Sequence, residues 1–194
     1  MKIDIELNSK SIKNAIKIIK NQKKIIAEQM IPEYLRRSAE WIKNRANEIL
    51  NQSDIGVEIA QNISSSWYIE TLSNNRIKLL NVSWKSAYVE FGVGIVGANQ
   101  PHPNASNTNY EYNVETQYKN LDGSWVFSVA DHSELDIPRD AIIDQFYGVD
   151  SKGSTLTILT RGTKGVWYLF NAVEDFKLRE KNRLWEEIKK KYWS

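Results

Sequence analysis

Along residues 2–7, KIDIEL, apolar and charged positions alternate: Ile3, Ile5 and Leu7 fall on one side, Lys2, Asp4 and Glu6 on the other. Period two marks a half-buried strand. The period then lengthens. Between about residues 10 and 30, Ile12, Ala15, Ile16, Ile19, Ile26 and Met30 share one helical stripe, and Asn8 or Ser9 can cap its start. Pro32 interrupts the pattern. Proline fits a first helical turn, so a second helix is expected from there to about Leu50. Its apolar side is Leu35, Ala39, Trp41, Ile42, Ala46 and Ile49. Two helices meeting at a proline form either a hairpin or an elbow.

A short third helix over 54–64 is expected from Ile55, Ile59 and Ile63, weakened by Gly56. The strand-like runs 65–72 and 76–83 flank Ser73-Asn74-Asn75; Asn accepts positive φ, which predicts a hairpin. Trp84, Ala87, Tyr88 and Phe91 stand at i, i+3, i+4 and i+7. That spacing predicts a short helix that buries its aromatic residues and ends at Gly92, which suits a left-handed cap. Residues 92–110 show no period and carry three Gly and two Pro. They read as a protruding loop, and a loop of this length is usually functional or disordered. Strands are expected near 111–119 and 124–130, joined at Leu121-Asp122-Gly123, and again at 140–147 and 154–160, with 131–160 read as an insertion. A last long helix covers about 166–193. Its seam runs Val166, Leu169, Phe170, Val173, Phe176, lapses at Glu180-Lys181, and resumes with Leu184, Ile188 and Tyr192. The expected fold is α+β: N-terminal helices, a central, mostly antiparallel β-sheet and a long C-terminal helix, in a single domain 1–194.

Composition narrows the chemistry. With 194 residues, 41% hydrophobic, the chain can bury a core without staples. The net charge of +2 is small for a protein held to nucleic acid by phosphate contacts. No cysteine is present, which removes disulfides, thiol nucleophiles and Cys-ligated metals. Two histidines leave little for a metal site, and neither a metal nor a cofactor is expected. The N-terminus lacks the apolar core of a signal peptide, and no apolar run is long enough to cross a membrane.

Four constellations carry residue types with chemical potential. His102, between Pro101 and Pro103, reads as a solvated loop histidine. His132 stands with Asp131, Ser133, Glu134 and Asp136, the residue types of a triad. A triad, however, is defined by geometry rather than adjacency. Gly92-x-Gly94-x-x-Gly97 matches a dinucleotide-binding string, but a helix precedes it and a Pro/Asn loop follows, so the context fails. Lys10, Lys13, Lys17, Lys20 and Lys24 form a basic stripe opposite the isoleucines of the first helix. It reads as a solvated face, a DNA contact or a contact for an acidic partner. Seven Trp and nine Tyr suit cores and interfaces alike.

The segment Ser86-Ala87-Tyr88-Val89-Glu90-Phe91-Gly92-Val93-Gly94 resembles the YA-x-x-x-E-F-G-T-G signature of the tail-completion (neck, head–tail joining) family of long-tailed bacteriophages. Val93 replaces the usual Thr. The order of parts is also similar: N-terminal helices, a hairpin leading into the motif, a Gly/Pro-rich loop, then a final helix opened by glycine and an aromatic–Ala element. Here that element is Gly165-Val166-Trp167-Tyr168-Leu169-Phe170-Asn171-Ala172.

The resemblance implies a virion structural protein, not an enzyme, located in the phage neck after assembly in the bacterial host cytoplasm. It implies a self-associating ring, six-fold, between head connector or adaptor proteins and the tail terminator or tail tube. Duplex DNA would pass through the lumen without sequence-specific binding, and no membrane is involved. A tail terminator or other tail-tube-capping protein is the nearest alternative; a DNA-binding module and a small hydrolase using His132 are alternatives of other classes. No catalytic residue is expected. Glu90, in the last turn of its helix, calls for a partner on another residue. Glu90, Val93, Ile95 and Val96, with Trp185, Ile188 and Tyr192 of the distal helix, are the expected interface residues. The distal helix meets either the N-terminal helices or the next subunit.

Overall fold

A computed structural model describes residues 9–108, 110–112, 125–129, 142–149 and 156–193. The expected strand 2–7, most of the run 111–119, the Leu121-Asp122-Gly123 turn and the His132 cluster lie outside the described residues. The chain divides into two compact units, one made of 1–42, 69–80 and 175–194, the other of 43–68 and 81–174.

The fold is α+β, with helices at the N-terminus, antiparallel strand pairing and a long C-terminal helix. Neither a hairpin nor an elbow forms at Pro32. Helices α1 (Ser9–Ile25) and α2 (Ile31–Gln52) are joined by one π turn, Ile26–Met30, and the chain stays helical throughout. The Ile31 N–H bonds the Ile26 carbonyl, five residues back. This wider turn lies just ahead of Pro32, whose ring crowds the preceding turn and whose nitrogen donates nothing.

The core of the first unit gathers Met30, Phe176, Leu184 and Ile188. Tyr34 meets Trp185 edge-on at 5.5 Å, and Trp41 lies 5.7 Å from Phe176. The C-terminal helix is α7 (Tyr168–Asp175), a second π turn (Phe176–Glu180) and α8 (Lys181–Trp193). The π turn accounts for the lapse in the apolar seam. In a plain α-helix, Phe176 and Leu184 would stand about 80° apart around the axis; absorbing one extra residue in the π turn brings them to within about 20°. Both therefore reach one core. The distal half of this helix packs on the N-terminal helices, the first of the two expected contacts. At the rim, the Lys191 ammonium and the Tyr192 hydroxyl both donate to Glu33 Oε2 (2.7 and 2.9 Å), and Arg37 donates to Glu187 (2.7 Å).

In the second unit, α3 (Val57–Ser65) buries Ile59, Ala60 and Ile63. Strands β1 (Trp67–Ser73) and β2 (Arg76–Asn81) form the expected hairpin around Asn74-Asn75, and residues 69–80 of that hairpin belong to the first unit. Trp67, at its base, donates Nε1–H to Asn47 Oδ1 at 2.7 Å. The motif helix is α4 (Lys85–Phe91), followed by β3 (Gly92–Val93), α5 (Gly94–Asn99) and α6 (Ala105–Thr108). Strand β6 (Leu156–Lys164) pairs antiparallel with β4 (Trp125–Val129), β5 (Ile142–Val149) and β3; Gly92 faces Lys164 and Val93 faces Thr163. Residues 92–110 are thus not a protruding loop, because β3 joins the sheet and Val96 is buried. The stripe of α4 departs from expectation at two residues, while Phe91 packs inward on His102 and Tyr110 as expected. Trp84 and Tyr88 are 72% and 45% exposed, whereas Val89 and Glu90 are buried.

Two outcomes follow for the first unit. Ending the chain after Arg179 removes Leu184 and Ile188 from the core, and each such side chain contributes roughly 1.5–3 kcal/mol. The melting temperature of the truncated protein should fall by many degrees. The second outcome concerns acid. The Lys191 hydrogen bond, opposed by burial and aided by Tyr192 and Arg37, holds the Glu33 carboxyl below its ordinary 4.5. A depressed carboxyl stabilises the fold above the unfolded value and loses that contribution as pH falls through the folded one. Glu33→Gln should therefore flatten the decline of melting temperature below about pH 4.5.

Candidate functional site

The motif Glu90-Phe91-Gly92 and the element Gly165–Ala172 meet in space. Helix α4 ends where Gly92 adopts φ 80° and ψ 178°, a mirror-extended conformation open to glycine and distinct from the expected left-handed cap. The chain leaves into β3 flush against the end of β6. A Cβ on Gly92 would lie 2.5 Å from the Gly165 nitrogen, and one on Gly165 would lie 2.6 Å from the Glu90 carbonyl oxygen. Two backbone bonds tie the segments, Val166 N–H to the Val89 carbonyl (2.7 Å) and Trp167 N–H to the Glu90 carbonyl (3.2 Å). Trp167 then takes φ +55° and accepts the Asn171 N–H at its carbonyl (2.8 Å). It thereby opens α7.

The Glu90 side chain completes the joint. Its Oε2 accepts the Leu169 N–H at 2.8 Å, and its Oε1 accepts the Phe170 N–H at 2.9 Å. The first amides of a helix have no partner within the helix, and they carry the positive end of its dipole. A carboxylate placed there satisfies both needs. Nearly eighty residues separate the acid from the amides it caps, so no local capping box announces it. Glu90 is 5% exposed.

His102 supplies a third donor. Its Nε2 lies 3.0 Å from Glu90 Oε1, while its Nδ1 accepts the Asn104 N–H at 3.0 Å. Since Nδ1 is an acceptor, the ring proton sits on Nε2 and points at the carboxylate. The imidazole is 4% exposed and stands among Phe91, Trp167 and Phe170 with centroids at 4.4, 5.9 and 5.3 Å. The expected solvated histidine is therefore a buried strut. Tyr110 stacks on Phe91 and donates to the Gly92 carbonyl (2.8 Å). The Tyr112 hydroxyl accepts the His102 N–H (2.7 Å), and the Tyr112 carbonyl accepts the Gly94 N–H (2.8 Å). Burial pushes the Tyr110 phenol up to about 12, with Tyr88 and Tyr112 adding to it. Burial also raises Tyr168, whose hydroxyl bonds Ser86.

This arrangement fixes backbone. A buried carboxylate that accepts three N–H groups offers no open face to a substrate. Among the described residues, no cluster of three His, Asp or Glu side chains could hold a metal ion, and no helix is long and apolar enough to cross a membrane.

Of the expected interface residues, Glu90 and Val96 are enclosed by the chain itself, and Val93 and Ile95 are half-buried beside them. Ile188 is fully covered in the first unit, with Trp185 and Tyr192 half-buried around it. Tyr110 and Tyr112 are residues that the sequence does not single out, and His102 stands out there only as a solvated loop residue. Their one visible signal is a histidine held between prolines and followed by two tyrosines at alternate positions. On the outer side of α4, Ile55, Ile59, Tyr88, Val89, Val93 and Val166 line an apolar groove of about 190 Å3, with Trp84 at its rim.

Comparison of the chain with protein-family models, with curated proteins and with solved structures finds no match in any of the three.

The joint can be tested by substitution. Glu90→Ala strands two helix amides and the His102 N–H, each worth roughly 1–3 kcal/mol when buried without a partner. Denaturant titration should show a loss of several kcal/mol. Glu90→Gln, which keeps one acceptor oxygen, should fall between Glu90→Ala and the unmodified protein. Gly92→Ala should fail to fold, because no neighbouring side chain can move aside for the new methyl group.

Proposed function

We propose that this chain is a structural protein of the neck of a long-tailed phage, or of a phage-derived particle. It acts in tail completion, as a ring that joins the head connector to the tail. The observation that carries this proposal is the joint itself. The two segments on which the resemblance rests, 86–94 and 165–172, are far apart in sequence and close on each other through Glu90 and the Gly92–Gly165 contact. The motif thus acts as architecture, which is what a joining protein requires of it.

A second feature agrees with assembly. Trp84 and Tyr88 stand edge to face at 5.9 Å on the solvent side of the motif helix, and exposed Trp and Tyr are the residues most enriched where proteins meet. In this proposal the chain is not an enzyme. Its copies form a six-fold ring, its neighbours are connector or adaptor proteins and the tail terminator or tail tube, and it resides in the virion.

Removing the coding sequence from the phage or prophage that carries it tests this directly. Electron microscopy should show DNA-filled heads and full-length tails that stay apart, and the unmodified chain supplied in trans should restore joined particles. Trp84→Ala with Tyr88→Ala should leave the fold intact yet restore few particles. Joined, infective particles without the chain would refute the proposal, and tails of irregular length would favour a terminator instead.

A further inference from the structure

Helix α1 carries a surface that the first unit leaves uncovered. Ile12, Ile16 and Ile19 are 43%, 48% and 48% exposed. At 100° per residue they share an arc of about 60°. Lys13, Lys17, Lys20 and Lys24 share a second arc of the same width, centred about 100° further round. On the other flank Ala15 is buried and Ile25 packs on the core, while Ile18 between them is 41% exposed and widens the apolar face. The helix holds six lysines and no Asp or Glu. Among the described residues, Lys24 alone of this row meets a carboxylate, that of Glu28 at 3.9 Å.

We infer that α1 is a docking helix for a protein partner whose contact face is an apolar groove edged by carboxylates. Charge complementarity selects this occupant. A second copy of α1 would bring lysines against lysines. A nucleic-acid backbone would pair the lysines and leave the isoleucine row in water. A membrane surface favours bulky Trp, Phe and Leu on the apolar face, and α1 carries isoleucine and alanine and none of these three. A row of isoleucines beside a row of lysines has the geometry of a helix laid in a groove, with apolar anchors on one helical face and charge beside them. This inference stands on α1 alone and is independent of the neck assignment.

The test uses the full chain and two synthetic helical peptides of about six turns. In one an isoleucine row is flanked by glutamates, in the other the same row is flanked by lysines. Fluorescence anisotropy should show binding of the glutamate peptide that weakens with added salt. Binding should weaken by roughly tenfold or more in Ile16→Ser, and also in Lys17→Glu with Lys20→Glu, with the lysine peptide weaker by at least as much. All three side chains are exposed, so these variants should keep the circular dichroism and melting temperature of the parent. Equal binding of both peptides, or no loss in either variant, would overturn the inference. Tighter binding to a short DNA duplex, or to phosphatidylcholine vesicles with about one-quarter phosphatidylserine, lost with the lysines but kept in Ile16→Ser, would replace it with a nucleic-acid or membrane contact. Self-association of the free chain that disappears in Ile16→Ser would replace it with a second copy.

Discussion

The second unit is organised around one electrostatic requirement. The first amides of α7 emerge in a partly buried position without a partner in their own helix, and the Glu90 carboxylate is the acceptor that reaches them. Burying either the acid or the amides alone would be costly; buried together they satisfy one another. Meeting that requirement fixes other features in turn. Helix α4 must end one residue past the acid, and the chain must leave along β6. The segment after it must return so that His102 can donate to the same oxygen. Tyr110 and Tyr112 then hold that returning segment from behind.

The first unit solves a problem of phase. Two helical runs, Ser9–Gln52 and Tyr168–Trp193, supply its core, and at plain α spacing Phe176 and Leu184 would turn apart. Each contains a single π turn, at Ile26–Met30 and at Phe176–Glu180. Both turns border the same cluster, with Met30 closing one and Phe176 opening the other. The extra residue rotates the following stretch back into line. Glu180, which that rotation turns inward, is neutralised by the Arg183 guanidinium.

Much of this was visible in the sequence, and what was missed has a common physical origin. Period and punctuation located α3, the hairpin, α4 and the last helix to within a few residues. They also marked the phase error at Glu180-Lys181, although not its cause. Periodicity identifies a helix without saying which of its faces is covered. On α4 the aromatic row was assigned to the core, yet the structure buries Val89 and Glu90 and exposes Trp84 and Tyr88. Pro32 reads as a break in the sequence because the π turn that admits it has no compositional sign. The Glu90 joint depends on amides nearly eighty residues away, and a backbone amide has no letter in a sequence. Only the mismatch of an acid at the wrong end of its own helix hinted that a partner existed. His102 was misplaced for the same reason, since its burial depends on Phe91, Trp167 and Phe170 arriving from other elements.

The contact between Gly92 and Gly165 is made by main chain on both sides. Ordinary contacts between side chains form a matched pair, in which enlargement of one partner can be offset by reduction of the other. Here both partners already have the smallest size available, so no second-site change elsewhere in the chain can make room. Substitution is therefore tolerated best at side chains outside this contact, such as the exposed Trp84 and Tyr88, which can change without touching the two glycines.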